Sequence, residues 1–208
     1  MNLSACWSEI CTVDVGPLVA WLREQPPSWP EVAPTKPQRV FVLPDVFAPV
    51  IAFVLVHFWD NMAGRQAEVA VHQPMLSRLL SGQSHPMHVD SQRADWITRV
   101  HVPVTTNERC WFQWEEECEQ IEVRMLRGDI TDEAKLPLPF KDQDKQRVGD
   151  VVGLRFDGQY TVGEVLLYKK VRFEVGKAYS FDTTRRHAFS NDGDTERVHL
   201  IFDVLRRD

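Results

Sequence analysis

Two segments of the chain alternate between apolar and polar residues with a period of two, which restricts each to a β-strand with one buried face. In Trp96–Val104, Arg99 and His101 lie on the face opposite the apolar stripe. Arg197–Val204 repeats this arrangement, with an Arg-x-His pair at its start. Polar side chains gathered opposite a buried stripe indicate that the two strands line a cavity.

The segment Asn191–Asp194, just before the second of these strands, has the sequence of a tight turn because Asp-Gly accepts positive φ. We expect it to join two antiparallel strands as a hairpin. Several short strands after Ser81 predict a sandwich or jelly roll, a fold that often holds a small ligand. The expected fold class is therefore mainly β with a helical flank.

The helical flank is predicted from capping residues and prolines. Val15–Glu24 follows Asp14, carries Pro17 in its first turn and ends before Pro26, which predicts one short helix. Between Pro26 and Pro44 the chain holds six of its 13 prolines, so this stretch is predicted to be an extended connector.

Two apolar segments remain ambiguous, since periodicity does not decide whether Asp45–Asn61 and Gln73–Leu80 are helices or buried strands.

Composition excludes several classes of partner. The 208 residues include 24 Lys plus Arg and 30 Asp plus Glu, a net charge of −6, and no basic stripe suited to nucleic acid. The most apolar stretch, Val46–Trp59, is shorter than the roughly 20 residues that cross a bilayer. No basic residue precedes Arg23, so the chain lacks the charged start of a signal peptide and is expected to be cytoplasmic. The oligomeric state is not predicted.

The motif with metal-binding chemistry is His88-Val89-Asp90, because residues two apart in an extended segment share a face. A third ligand from another strand would complete two imidazoles and one carboxylate on one side of an octahedral metal, as in non-haem Fe(II) oxygenases. His187 is the best candidate for this ligand, since the predicted hairpin would also bring Arg197 alongside the metal.

Arg197 suits a further task at such a site. A 2-oxo acid that chelates the metal through its keto oxygen and C1 carboxylate has a distal carboxylate that needs a fixed cation. The Arg197 guanidinium stays charged and forms two parallel hydrogen bonds to a carboxylate.

The order of these motifs resembles the aspartyl/asparaginyl β-hydroxylase family of Fe(II)/2-oxoglutarate dioxygenases, including the related bacterial proline hydroxylases. The likeness runs from residue 77 to 205. Its segments are His88–Asp90, Arg99–Asn107, Gly176–Asp182, Arg186-His187, Asn191–Asp194 and Arg197–Asp203.

The resemblance implies a double-stranded β-helix (a jelly roll, cupin-like) with Fe(II) held by His88, Asp90 and His187. It also implies that Arg197 binds the distal carboxylate of 2-oxoglutarate, with Ser77 beside it. Arg99 and His101 match the family pair near the C1 carboxylate.

The domain organisation that follows has two parts. Residues 1–70 are expected to form a flank packed on the core, and residues 71–208 the catalytic domain, with an insert around 115–162. The insert is interpreted either as a lid or substrate-reading loop or as a solvated excursion without a chemical role.

The function expected from this resemblance is hydroxylation of a C–H bond of an amino acid or peptidyl side chain, with 2-oxoglutarate and O2 as cosubstrates. The alternative is a non-oxidative cupin-like protein that binds a small carboxylate or acts as a metal-dependent isomerase. The residues also have structural interpretations: Arg197 and Arg99 could form cross-strand salt bridges, and His101 and His199 could be polar core residues.

Overall fold

The computed structural model describes residues 6–33, 36–61, 68–90, 93–121, 150–156 and 163–207. Within these ranges the chain forms two α-helices, α1 (Gly16–Glu24) and α2 (Ala48–Asn61), and a 3₁₀ helix at Asp45–Phe47. The strands are β1 (Trp7–Thr12), β2 (Gln38–Val40), β3 (Glu68–Leu79), β4 (Ser84–His88), β5 (Trp96–Thr105), β6 (Cys110–Ile121), β7 (Asp150–Phe156), β8 (Gly163–Val171), β9 (Lys177–Phe181), β10 (His187–Asn191) and β11 (Arg197–Arg207). The predominance of strands confirms the mainly β fold class.

The described chain divides into two compact units. One unit comprises Met1–Phe112 and Arg172–Asp208, and the other comprises Gln113–Val171. The second unit contains β7 and β8, which pair antiparallel, and most of β6. The predicted insert around 115–162 lies largely outside the described residues, and both the insert and the division at residue 70 stay predictions.

The first unit is built on a six-stranded sheet in the order β1-β9-β5-β11-β3-β2. The two alternating segments are its central strands β5 and β11, which pair antiparallel with Ile201 opposite His101. Their apolar stripe is fully buried, for example at Val100 and Phe202, and packs against Leu18 of α1 and Phe58 of α2. The helices therefore cover the apolar face of the sheet, and the opposite, polar face of β5 and β11 is the one that faces the predicted cavity.

Helix α1 begins one residue after the predicted start at Val15 and ends at the predicted Glu24. Its first backbone N–H, at Gly16, donates to Asp14 Oδ1 at 2.8 Å, and Gln25 N–H donates to Trp21 O at 2.8 Å before the chain reaches Pro26.

The two ambiguous segments differ from one another: Ala48–Asn61 is helical, whereas Gln73–Leu79 belongs to β3. Strand β3 lies between β11 and β2, so its backbone is paired on both sides.

The N-terminal flank supplies both edge strands of this sheet. Strand β1 pairs with β9, and β2, inside the proline-rich connector, pairs with β3. Prolines are compatible with an edge strand, because one side of such a strand has no ladder hydrogen bonds to lose.

The second sheet contains β4 and β10, which pair antiparallel, followed in the strand order by β6, whose residues Cys110–Phe112 belong to the first unit. The predicted hairpin at Asn191–Asp194 is wrong, since β10 and β11 belong to different sheets and the turn carries the chain between them. Asn191 fixes this crossing because its side-chain amide donates to Leu79 O at 3.0 Å and Thr195 O at 2.8 Å. Among the described helices, none has the length and apolar composition needed to span a bilayer.

Candidate metal centre and cavity

His88, Asp90 and His187 lie together at the end of the second sheet. His187 begins β10 and pairs with His88 at the end of β4, and Asp90 follows two residues later. One ligand atom from each lies within 4.8 Å of the other two. His88 Nε2 lies 3.4 Å from Asp90 Oδ1, and His187 Nε2 lies 3.8 Å from Asp90 Oδ2. The structure therefore brings the three predicted ligands into one cluster.

Backbone carbonyls fix the tautomer of both histidines. His88 Nδ1–H donates to Pro86 O at 2.8 Å, and His187 Nδ1–H donates to Arg185 O at 2.8 Å. A carbonyl oxygen only accepts, so the Nδ1 of each ring carries a proton, and Nε2, the nitrogen nearer Asp90, is the atom that can bind a metal. Metal-binding histidines are commonly oriented in this way.

Asp90 and His187 in this cluster have the charges that metal binding requires. Burial by itself would raise the pKa of Asp90, but the hydrogen bond with His88 and the charge of Arg99 hold it well below its usual range. Burial lowers the pKa of His187 to about 4. At neutral pH the cluster thus offers an ionised carboxylate and, at His187, a neutral imidazole.

Arg99 connects Asp90 to a second carboxylate. Its Nη1 donates to Asp90 Oδ2, while its Nε and Nη2 donate to Asp203 Oδ1 and Oδ2 at 2.8 and 2.9 Å. Asp203 lies opposite Arg99 in the β11–β5 register and is buried. The sequence assigned no role to Asp203, although the alternation of β11 places it on the same face as Arg197.

Arg197 is buried on the cavity wall without an acidic partner among the described residues. It is 4% exposed, and its Nε has no hydrogen-bond partner in the described ranges of the chain. Burial lowers the pKa of Arg197 to about 10, so the guanidinium remains charged at neutral pH. A buried cation without a counter-ion is costly, and a bound anion would satisfy it.

The two other residues that the sequence assigned to the cosubstrate also lie at this cavity. Ser77 is buried on β3, opposite His199. His101 Nδ1 lies 3.4 Å from His199 Nδ1, and the part of the chain that the structure describes offers no hydrogen-bond partner to the Nε2 of either ring. Burial holds the pKa of each of these histidines well below 6.5. Both imidazoles are therefore neutral.

The cavity has a volume of about 420 Å³ and lies wholly in the first unit. All seven predicted site residues line it: Ser77, His88, Asp90, Arg99, His101, His187 and Arg197. The other seven lining residues, to which the sequence gave no role at the site, are Pro37, Arg39, Met75, Leu79, His85, Phe189 and Ile201. Arg39 lies in the short strand β2, where no periodic pattern marked it.

The donor set fits a divalent transition metal. Two imidazole nitrogens and one carboxylate oxygen approach from one side, and the cavity leaves the other coordination positions to solvent or ligand. This combination suits iron and its first-row neighbours better than Mg²⁺ or Ca²⁺, which prefer all-oxygen sites.

Comparison with known families agrees with the C-terminal part of the resemblance. A family model described as aspartyl/asparaginyl beta-hydroxylase matches residues 159–207, which contain His187 and Arg197. The predicted likeness to this family is confirmed over that segment. No curated protein is significantly similar to the chain in sequence.

Solved structures share the fold at low sequence identity. The non-heme alpha-ketoglutarate-dependent carbocyclase SnoK from nogalamycin biosynthesis is 13% identical, with a TM-score of 0.56 over 97% of this chain and 80% of SnoK. The viral collagen prolyl hydroxylase of Paramecium bursaria Chlorella virus-1 is 9% identical, with a TM-score of 0.51 over 98% and 97% of the two chains. These likenesses confirm the predicted double-stranded β-helix.

A 2OG-Fe(II) oxygenase family protein from Burkholderia pseudomallei is 14% identical, with a TM-score of 0.42 over 84% of this chain. The chain spans 62% of the length of that protein.

Proposed function

We propose that this protein is an Fe(II)- and 2-oxoglutarate-dependent dioxygenase that hydroxylates a C–H bond of an amino acid or peptidyl side chain. The observation that carries the proposal is the placement of Arg197, a buried guanidinium without an acidic partner among the described residues, in the same cavity as the His88, Asp90 and His187 cluster. A metal site and a separate anion site in one cavity fit a cosubstrate that chelates at one end and carries a carboxylate at the other.

The metal ligands in this proposal are His88, Asp90 and His187. Their donor atoms are close together before any metal binds, and the backbone carbonyls of Pro86 and Arg185 bind the Nδ1 atoms, which leaves Nε2 of each ring to coordinate the metal. Arg99 orients Asp90, and Asp203 in turn holds Arg99. Such supporting contacts typically strengthen metal binding about 10–100-fold.

Arg197 binds the distal carboxylate of 2-oxoglutarate through two N–H groups of its planar guanidinium. Ser77, on the neighbouring strand β3 and facing the same cavity, donates its hydroxyl to that carboxylate. His101 donates from Nε2 near the C1 carboxylate, and its Nδ1 is the atom facing His199. Arg99 remains the second predicted contact at this end.

Fe(II) bound with 2-oxoglutarate and O2 supplies the oxidising chemistry, in which R–H, 2-oxoglutarate and O2 become R–OH, succinate and CO2. The protein positions the reactants and keeps water from the reacting carbon. Phe189 contributes to this shielding: its ring stacks on His101 at a centroid distance of 5.6 Å and lies under Arg197.

The comparisons support an oxygenase more strongly than a particular reaction. The family model is described as a beta-hydroxylase, and the viral structure is a collagen prolyl hydroxylase, whereas SnoK is described as a carbocyclase. We take hydroxylation of an amino acid or peptide as the reaction because the family match includes His187 and Arg197, two of the residues that define the site.

The proposal is tested with purified protein, Fe(II), ascorbate and 2-oxoglutarate over a panel of free amino acids and short Asp, Asn and Pro peptides. We expect succinate release and a product 16 Da heavier with at least one compound, and neither with His187→Ala. Succinate release equal in the two proteins across the whole panel would refute the proposal.

A further inference from the structure

Arg39 faces the cavity from the N-terminal flank. Strand β2 places it opposite Ser77 of β3, and its side chain lines the cavity with Pro37. Its neighbour Val40 packs against the hydrophobic core. Successive residues of a strand point to opposite faces, so the packing of Val40 against the core directs the side chain of Arg39 to the cavity.

The strand that carries Arg39 is held firmly. Gln38 Nε2 donates to Pro30 O at 3.0 Å, and Gln38 Oε1 accepts from Arg78 Nε at 2.6 Å. The Arg78 guanidinium also lies 4.6 Å from the ring centroid of Trp29. These contacts anchor both sides of a three-residue strand, so Arg39 is presented to the cavity from a fixed backbone.

Arg39 forms no hydrogen bond or ion pair within the described parts of the chain. Burial and the charge of Arg99 lower the pKa of Arg39, and the charge of Asp90 raises it, so all three side chains are close enough to interact. The two carboxylates in this region, Asp90 and Asp203, are both bonded to Arg99. Arg39 is thus a half-buried cation that the described residues leave without a partner.

The charge balance of the proposed loaded site leaves Arg39 unmatched. Arg39, Arg99 and Arg197 face two carboxylates, Asp90 and Asp203. A ferrous ion adds two positive charges, and dianionic 2-oxoglutarate removes two. One positive charge therefore remains after the metal and the cosubstrate have bound. Arg197 and Arg99 are already matched by the distal carboxylate and by their aspartates, so the excess charge resides at Arg39.

We infer that Arg39 binds a carboxylate of the substrate and selects acids over their neutral amides. This inference rests on the proposed function and specifies its substrate as a carboxylate-bearing amino acid or peptide. The carboxylate is either the α-carboxylate of a free amino acid or the side-chain carboxylate of an acidic residue. The guanidinium would hold it at the cavity wall, next to the metal cluster.

The test uses the full chain loaded with Zn(II), as a redox-inert diamagnetic ion, and with saturating 2-oxoglutarate. The readout is the side-chain Nε–Hε resonance of Arg39, assigned by its disappearance in Arg39→Gln. The probes are the free proteinogenic amino acids paired with their α-amides, and N-acetyl-aspartyl methylamide paired with its asparaginyl counterpart. The first set detects an α-carboxylate, and the second detects a side-chain carboxylate.

We expect at least one acid to shift the Arg39 resonance saturably while its amide does not. In isothermal titration calorimetry, Arg39→Gln should bind that acid about 30-fold or more weakly than the parent, which is about 2 kcal/mol. Arg39→Lys keeps the positive charge but loses the paired N–H donors of the guanidinium. Its affinity for the acid should lie between those of the parent and Arg39→Gln. Lys36→Gln removes an exposed positive charge three residues away and should leave the affinity within twofold.

The inference is overturned if no acid shifts the Arg39 resonance, if amides bind as well as acids, or if Arg39→Gln binds the acid as tightly as the parent. Failure of the proposed function is detected in an earlier step of the same experiment, when 2-oxoglutarate is added before any amino acid or peptide. If that addition does not shift the Arg197 resonance, the proposed function fails; if it does and no acid reaches Arg39, only the present inference fails.

Discussion

The Arg197 guanidinium lies 5.2 Å from the ring centroid of Phe189, and both residues line the main cavity and a second one of about 210 Å³. The ring buries one surface of the cation without neutralising it. Arg197 is therefore held in place for an anion, and its Nε finds no hydrogen-bond partner among the residues that the structure describes.

Replacing Arg197 should weaken 2-oxoglutarate binding without lowering the free energy of unfolding of the ligand-free protein. Arg197→Met is expected to weaken 2-oxoglutarate binding by about 100-fold or more, since a buried charge-assisted pair is lost. Its free energy of unfolding, measured by urea denaturation without ligand, should be unchanged or higher, because an uncompensated buried charge has been removed. A variant that binds 2-oxoglutarate normally would show that the anion site is elsewhere.

The second prediction concerns the contribution of His187 to metal binding. His187→Ala should weaken Co(II) or Fe(II) binding by about 100-fold or more, since loss of an outer-shell partner alone typically costs about 10–100-fold. The matched control is His57→Ala, because His57 lies on α2 and outside the cavity lining. Anaerobic metal titrations measure both, and equal losses in the two variants would argue against a specific His187 ligand.

Asp203 is predicted to act through Arg99. Asp203→Asn should lower metal affinity by about tenfold, because Arg99 then loses the partner that holds it against Asp90. Asp95→Asn is the control, as it breaks the exposed pair of Asp95 with Arg93 and should leave metal affinity unchanged. Equal metal affinities for Asp203→Asn and the parent would mean that Arg99 does not depend on Asp203.

The paired histidines His101 and His199 should make the metal-free protein acid-sensitive. Burial holds their pKa values well below the 6.5 expected when unfolded, so below pH 6.5 the unfolded chain binds more protons. Stability should be fully present above that pH and decline as the pH falls, by up to about 1.4 kcal/mol per pH unit for each histidine.

The measurement is the pH dependence of the free energy of unfolding. His199→Gln should reduce the slope between pH 6.5 and 5, whereas His57→Gln, on α2 and outside the cavity lining, should not. An unchanged slope in His199→Gln would contradict the buried neutral state of this ring.

Parts of this architecture were predictable because their signals are local. The period of two in Trp96–Val104 and Arg197–Val204 places their polar residues on the cavity face before any pairing is known. The spacing of His88 and Asp90 likewise makes them neighbours in an extended segment.

Other parts depend on tertiary pairing, which the sequence does not encode locally. Asp203 reaches Arg99 only through the register of β11 with β5, and Arg39 reaches the cavity only because a short, proline-flanked strand pairs with β3. The Asn191–Asp194 turn has the sequence of a hairpin, but side-chain hydrogen bonds from Asn191 to the first sheet direct it across the two sheets.

The most direct test of the account is the visible absorption of the anaerobic protein when Fe(II) and 2-oxoglutarate are added together. Chelation of ferrous iron by the keto acid in this cavity should produce a charge-transfer band in the parent protein. The band should be absent with Zn(II) and in His187→Ala, and should require far more 2-oxoglutarate in Arg197→Met. A parent protein that binds Fe(II) and 2-oxoglutarate tightly but shows no such band would contradict the account.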